Sequence, residues 1–350
     1  MSGGITQLVA TGAQDTHLVG QPEISFWQSS YKRHTNFSSV IERQTIVNVP
    51  SAGGISSVRF ERKGDLLSYC YLAATDSTDN AYPATWNNVI DKVELYIGGQ
   101  LIDTQTFEFS TKIYTDIMAP SFSRTVQGSS AIEGVANYVY PLKFWFGENW
   151  QSALPLVALQ YHDVEMRIYW ASTFTNTMQK FEMWSRFVYL DTAERRSFSD
   201  RTSDYLIQQV QRIPSPESSR AELTFNHPCK FLATTSTNVD NTVRVLLQLN
   251  GTDVGDSIHA YPHYRQVSSY WHTQFGHNET TASGGFKYVT MMIPFCLDAS
   301  KLQPTGTVNF SRIDSARIVL NKSTFNAPIY AVNYNILRVQ NGMAGVLYAN

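Results

Sequence analysis

Charge is scarce in this chain. Of 350 residues only 16% are Asp, Glu, Lys or Arg, against roughly a quarter in an average soluble domain. The formal net charge is -2, so no strong field of either sign marks a nucleic-acid or anionic-membrane partner. Two basic spots, Lys32-Arg33-His34 and Arg195-Arg196, are short, and Glu194 and Asp200 dilute the second; gripping phosphates takes a concentrated stripe of cations. Cysteine is scarcer still. Cys70, Cys229 and Cys296 are odd in number, far apart and without a C-x-x-C pair, which points away from a zinc site or a redox dithiol. Three buried, reduced thiols are expected, in a chain that folds in a reducing cytosol. The opening Met1-Ser2-Gly3-Gly4-Ile5 lacks the basic and apolar regions of a secretory signal. The longest apolar run, Ala153 to Leu159, is interrupted by Pro155 and falls far short of the roughly 20 residues of a membrane helix. Nucleophile motifs are missing too: there is no G-x-S-x-G, no P-loop and no H-E-x-x-H.

What is present is apolar and alternating. Hydrophobic residues make up 43% and aromatics 13%, enough for two domains with their own cores. So little charge fits an outside covered by partner subunits, or a β-protein surface rich in Thr, Ser, Asn and Gln. Period-two alternation dominates from residue 40 onward, and long helical periodicity is almost absent. Candidate strands fill the chain from 41–49 to 329–339 and include 138–146, 156–169, 287–295 and 307–312. Many short strands separated by turn residues read as sandwiches rather than an α/β enzyme.

The layout occurs twice. Val93-Glu94-Leu95-Tyr96-Ile97-Gly98-Gly99 matches Val245-Leu246-Leu247-Gln248-Leu249-Asn250-Gly251 in pattern, each an alternating strand entering a two-residue hairpin turn that needs φ > 0. Gly99 to Pro141 is 42 positions and Gly251 to Pro294 is 43; Gly99 to Pro155 is 56 and Gly251 to Pro304 is 53. A repeat near 150 residues is a domain duplication rather than a solenoid, and two domains of roughly eight strands each are what two jelly rolls require. The polar segment 190–200 joins them, with Asp191 or Thr192 capping a short helix and the boundary near residue 198. The expected fold is all-β, two tandem eight-stranded jelly-roll β-sandwiches.

One stretch gathers His259, His263, His272 and His277 with Tyr261, Tyr264, Tyr270, Trp271 and Phe275. His259 and His263 would align as metal ligands only on a helix, and Pro262 argues for a loop there. Acidic pairs, Asp76 with Asp79 and Asp253 with Asp256, fit solvated turns. Sequons at Asn36, Asn250, Asn278, Asn309 and Asn321 read as chance matches. No catalytic, cofactor-binding or metal-ligating residue is assigned.

Ordered strings along nearly the whole chain resemble the major capsid proteins of nucleocytoplasmic large DNA viruses. They are G-G-I-T-Q-L-V-A-T-G-A-Q-D from Gly3, Y-K-R-H-T-N-F-S from Tyr31, P-L-K-F-W-F from Pro141, A-L-P-L-V-A-L-Q-Y-H-D-V from Ala153, Y-L-D-T-A-E-R-R from Tyr189 and F-N-H-P from Phe225. Near the end come Q-P-T-G-T-V-N-F-S-R-I-D from Gln303 and A-V-N-Y-N-I-L-R-V from Ala331. The resemblance implies a double jelly roll divided into an N-terminal arm, 1–22, a first roll, 23–197, and a second, 198–350. It implies a non-enzymatic virion protein, made in the host cytoplasm, whose homotrimers have a hexagonal outline and tile an icosahedral shell. Partners would be neighbouring capsomers, minor capsid and penton proteins and an internal membrane, with no direct contact to nucleic acid. The aromatic stretch 259–277 would then be a loop buried at the threefold contact. Segments 280–285 and 321–328 are short where many relatives carry longer outer loops, which keeps a minor capsid paralogue as an alternative, beside a carbohydrate-binding jelly roll.

Overall fold

The computed structural model describes residues 3–118, 138–175, 180–273 and 290–348. Met1–Asn36 and Phe37–Asn350 are separate compact units. The first carries two short helices, Gly3–Val9 and Thr16–Val19, with no buried residue.

In the larger unit the alternating stretches become strands. The first set is β1 (Phe37–Gln44), β2 (Ile46–Val47), β3 (Ile55–Arg59), β4 (Leu66–Thr75), β5 (Ile90–Ile97), β6 (Gln100–Thr106), β7 (Val139–Pro141), β8 (Leu154–Pro155), β9 (Val164–Trp170) and β10 (Lys180–Leu190). The second is β11 (Ser203–Ile213), β12 (Arg220–Glu222), β13 (Pro228–Thr234), β14 (Arg244–Leu249), β15 (Thr252–Asp253), β16 (Ile258–His259), β17 (Met291–Pro294), β18 (Val308–Asn309), β19 (Ala316–Leu320), β20 (Ile329–Gln340) and β21 (Met343–Val346). The first set pairs as β1-β10-β4-β7, with β8 on β4, and as β2-β3-β9-β5-β6. The second repeats that order as β11-β20-β13-β17, with β18 on β13, and as β12-β19-β14-β15, with β16 on β14. β10 lies between β1 and β4 as β20 lies between β11 and β13, and neighbours are antiparallel. That is a jelly roll, made twice.

The residues account for this pairing. Gly98 and Gly99 (φ 58° and 81°) and Asn250 and Gly251 (φ 50° and 77°) turn the two equivalent hairpins, whose left-handed turns match the strand twist. At Gly98 any Cβ would also collide with the His162 imidazole. Pro141 lies opposite Tyr71 and Pro294 opposite Phe231; both sit on terminal strands, where a missing N–H breaks no ladder. Along β9, Val164, Met166, Ile168 and Trp170 are buried, while Glu165, Arg167 and Tyr169 are partly exposed, so one face supplies the core. That first core gathers Val58, Leu95, Met166, Ile168, Met183 and Phe187, and it also takes in Ile207, Leu337, Val339 and Ala344 from the second set. The second core gathers Val245, Leu247, Phe310, Ile318, Phe325 and Ala331. Between the rolls runs the helix Thr192–Asp200, whose Thr192 N–H donates to Asp191 Oδ1 at 2.8 Å. Arg195 ties it to Asp65 of the first roll at 2.9 Å.

Several expected strands are shorter than the pattern suggests. Of 138–146 only β7 is extended, and Trp145–Glu148 is helical. Phe144, Trp145 and Phe146 are all buried, and a strand cannot turn three successive side chains to one side. Segment 156–169 is broken by a 3-10 turn, Leu156–Ala158, at which Leu156, Ala158 and Leu159 are buried. In 307–312 Asn309 accepts from the Ser311 N–H at 3.0 Å and caps the 3-10 turn Phe310–Arg312, a side-chain bond that competes with the ladder. Of 287–295 the strand is β17; residues 287–289 lie outside the described ones. The second proline landmark also shifts. Pro155 faces Leu66, and the equivalent place opposite Pro228 belongs to Asn309, not Pro304.

Trp86, fully buried, packs its ring on Tyr140 and Phe181 at centroid distances of 5.7 and 5.8 Å. Trp86→Ala is expected to cost about 3–5 kcal/mol, read as a lower guanidinium midpoint. Trp150→Ala, at a side chain that is 84% exposed, should change it by less than about 0.5 kcal/mol. Equal midpoints for the two variants would contradict this packing.

Candidate assembly surfaces

The histidine-rich stretch folds differently from the expected loop. After β16 the chain is helical over Ala260–Val267 and Ser268–His272. Tyr261 alone is extended (φ -107°, ψ 133°), so Pro262 opens the coiled part instead of breaking it, as proline does at a first helical position. The described histidines serve separate partners. His259 Nε2 accepts from Arg244 Nε at 3.2 Å, His263 stands edge-on to Tyr264 at 4.8 Å, and His272 Nδ1 donates to the Cys296 carbonyl at 2.8 Å. Phe275, His277, Asn278 and the segment 280–285 lie outside the described residues. Among the described residues no group of three or more His, Cys, Asp or Glu is gathered. The aromatics also part company: Tyr264 is buried, whereas Tyr270 and Trp271, edge to face at 5.2 Å, are 72% and 70% exposed.

Other singled-out residues hold turns. Asp76 accepts from the Thr78 and Asn80 N–H groups at 2.8 and 2.9 Å, which lowers its carboxyl below the usual range. Asn250 Oδ1 accepts from the Asp314 N–H at 2.8 Å, and Asn321 Oδ1 from the Arg244 N–H at 2.8 Å. All three cysteines are buried and unpaired, and burial pushes the Cys229 thiol up to about 12.

One organised surface joins the two rolls, and the sequence pattern did not disclose it. Beyond β6 the first roll sends out a π-helix, Phe109–Met118. Phe109, Ile113, Tyr114, Ile117 and Met118 pack on the outer face of the second roll's sheet, against Phe231, Ala233, Met292, Tyr330 and Val332. Phe109 and Tyr330 meet at 5.7 Å between ring centroids. Tyr330 Oη and Thr106 Oγ1 are 2.8 Å apart, and Tyr330 donates to Glu108 at 3.2 Å. Thr290 donates to Asp116 at 2.5 Å, and Thr235 donates to Glu108. Beside this apolar patch runs a buried polar seam. Asp103 Oδ1 accepts from the Val210 N–H at 2.9 Å and Oδ2 from Gln105 Nε2 at 3.0 Å. Gln209 donates to the Ile102 carbonyl and accepts from Asn335 Nδ2 at 2.9 Å. Polar groups buried this deeply and satisfied across a contact hold it in one geometry.

Two family models match the chain. Residues 25–194 match the major capsid protein N-terminus, and residues 232–345 match the large eukaryotic DNA virus major capsid protein. The chain is 33% identical over 401 residues to a major capsid protein of Pyramimonas orientalis virus, covering 100% of both. It is 28% identical over 439 residues to one of Paramecium bursaria Chlorella virus 1, again covering 100% of both. A chain of the PBCV-1 virus capsid superimposes with a TM-score of 0.76 at 25% identity, covering 93% of this chain and 100% of that one. The Faustovirus major capsid protein shares the fold, with a TM-score of 0.63 at 11% identity over 94% of each chain.

Burial gives the seam a pH dependence. It pushes the Asp103 carboxyl up to about 6, although the Val210, Gln105 and Thr104 N–H groups pull it back. Burial raises the Glu148 carboxyl as well, against the pull of Lys230 and Lys143. A carboxyl that titrates higher in the fold than in the unfolded chain binds its proton better when folded. Its stabilisation is complete below about pH 4 and is lost as the pH rises through about 6. The urea midpoint of the wild type relative to Asp103→Asn should therefore fall between pH 4 and 6. A difference that stays constant over that range would show that Asp103 is not desolvated.

Proposed function

The chain belongs to the major capsid proteins of large eukaryotic DNA viruses, and from that premise we propose that three copies close into a capsomer of hexagonal outline that tiles an icosahedral shell. It is a structural protein of the virion capsid, and self-association is its activity. The observation that carries the trimeric reading is the repeated strand order locked by one buried contact. Two like rolls held rigidly in each chain give six similar wedges in three chains, so a threefold particle can occupy a sixfold lattice site. We assign the division of the chain as arm 1–22, first roll 23–197 and second roll 198–350, with synthesis in the host cytoplasm. No catalytic role is assigned. Neighbouring capsomers are the first partners, and minor capsid proteins, penton proteins and an internal membrane beneath the shell complete the set.

An obligate interface of this class buries roughly 2,000–5,000 Å². Purified protein is expected to sediment as a trimer at micromolar concentration and to image as hexagonal particles. A stable monomer there would defeat the reading. In the arm, Leu8 and Leu18 are exposed, which suits a segment that docks elsewhere. Deleting residues 1–20 should leave trimers intact and impair shell assembly, and loss of the trimer on deletion would give the arm a different task.

A further inference from the structure

Along the chain, Arg195-Arg196 is a short basic spot diluted by its acidic neighbours. Folding changes its company. The helix Thr192–Asp200 follows β10, and the loop between β3 and β4 brings Arg62 beside it. Arg62, Arg195, Arg196 and Ser199 line one cavity of about 390 Å³, together with Gly64, Leu156 and Val157. Glu194 and Asp200 are not among its lining residues. Gly64 lets the loop lie close on β10, since a Cβ there would come within 2.8 Å of the Phe187 Cβ.

The carboxylate that lines the cavity is already engaged. Asp65 is buried; its Oδ1 stands 2.9 Å from Arg195 Nε, and its Oδ2 accepts from the Leu190 N–H at 2.9 Å. That ion pair orients Arg195 through Nε and leaves its two terminal NH2 groups for another acceptor. Arg62 is held loosely, 3.5 Å from the His162 carbonyl and 3.6 Å from Asp163, while Asp163 lies nearer to Arg59, at 2.6 Å. Arg196 is exposed and has no carboxylate partner among the described residues. Three guanidinium groups thus face one carboxylate, a surplus of two positive charges among the lining residues.

The second roll shows that the fold does not require those cations. Leu66 pairs with Pro155, and Pro228 with Asn309, so Asp65 and Val157 correspond to His227 and Ser311. His227 and Ser311 line a cavity of about 400 Å³ with Leu206, Ile336 and Tyr348, and none of its lining residues is Arg or Lys. The shape is duplicated, and the chemistry has diverged. Guanidinium forks match the oxygens of a phosphate and bind them bidentately, and the Ser199 hydroxyl adds a donor. The volume exceeds that of a bare oxyanion and lies in the range of small-molecule sites.

We propose that this cavity binds an organic phosphate, with its oxyanion on Arg62, Arg195 and Arg196 and its carbon skeleton against Leu156 and Val157. A soluble phosphate ester and a lipid headgroup share this chemistry. The inference stands apart from the trimeric reading, because every lining residue belongs to one chain.

Calorimetry of the purified full chain with glycerol phosphate at low salt should show one site per chain. Arg196→Ala and Arg62→Ala should each weaken binding about tenfold or more. Arg196→Lys should not restore it, because lysine keeps the charge and loses the fork. Tyr348→Ala, in the equivalent cavity, should bind as the wild type does, and all four variants should keep the wild-type circular dichroism melt. Sedimentation with phosphatidylcholine vesicles, with and without phosphatidic acid, separates the sources. Capture by the phosphatidic acid vesicles alone, lost in Arg196→Ala, supports the site with a headgroup as its ligand; calorimetric binding without capture supports it with a soluble ester. Neither heat nor capture, or equal binding by Arg196→Ala and the wild type, would overturn the site. Full affinity in Arg196→Lys would reduce it to unspecific charge and overturn it too.

Discussion

A β-sheet with apolar side chains on both faces must be covered on both. The sheet β11-β20-β13-β17 is such a sheet. Ala331 and Leu232 face the interior of the second roll, while Phe231, Val332 and Tyr330 face outward. The outward set is too large to leave in water, at roughly 25 cal/mol for each Å² of apolar surface. The π-helix of the first roll covers it. The two rolls are therefore parts of one folding unit rather than beads on a string, and the short helix between them is held by Asp65 and Arg195. The rigidity that a tiling subunit needs follows from this burial.

Apolar cover alone would tolerate sliding. The polar seam removes that freedom, because buried Asp103 accepts from the Val210 N–H and buried Gln209 donates to the Ile102 carbonyl only in one registration of the rolls. Such groups contribute little net stability, and their effect here is to choose one docking among several apolar ones. Lys230 belongs to the same logic. It sits at the bulge of β13, fully buried, and donates to the Lys301 carbonyl at 3.0 Å, while burial lowers its pKa.

Much of this architecture was legible in the residues. The Gly98-Gly99 and Asn250-Gly251 turns, the matched places of Pro141 and Pro294 and the Asp191 cap are local features, each with a local physical cause. What was hidden depended on distant partners. Three aromatics in a row at 144–146 look like a strand until the surrounding core demands all of them at once. Asn309 interrupts its strand through a side-chain bond that alternation does not register. Asn333 and Asn335 suggest a polar face on β20, yet both are buried, where Asn333 accepts from Gln211 and Asn335 donates to Gln209 and the Tyr348 carbonyl. The helical extensions after β6 and β16 have mixed composition, and only the sheet beneath the first explains its apolar stripe. The inter-roll contact joins residues near 110 to residues near 330, and no window along the chain spans that separation.

The first core also includes Leu337, Val339 and Ala344, and the Tyr161 N–H donates to the Gly342 carbonyl at 2.9 Å. A ribosome delivers the ten strands of the N-terminal barrel long before it delivers these residues. During that interval the nascent barrel has a bare apolar patch that only later-made chain can cap, and exposed patches of this kind invite aggregation or chaperone capture. Translation order thus makes the β20-β21 hairpin a checkpoint. Products truncated before it would stay sticky and soft.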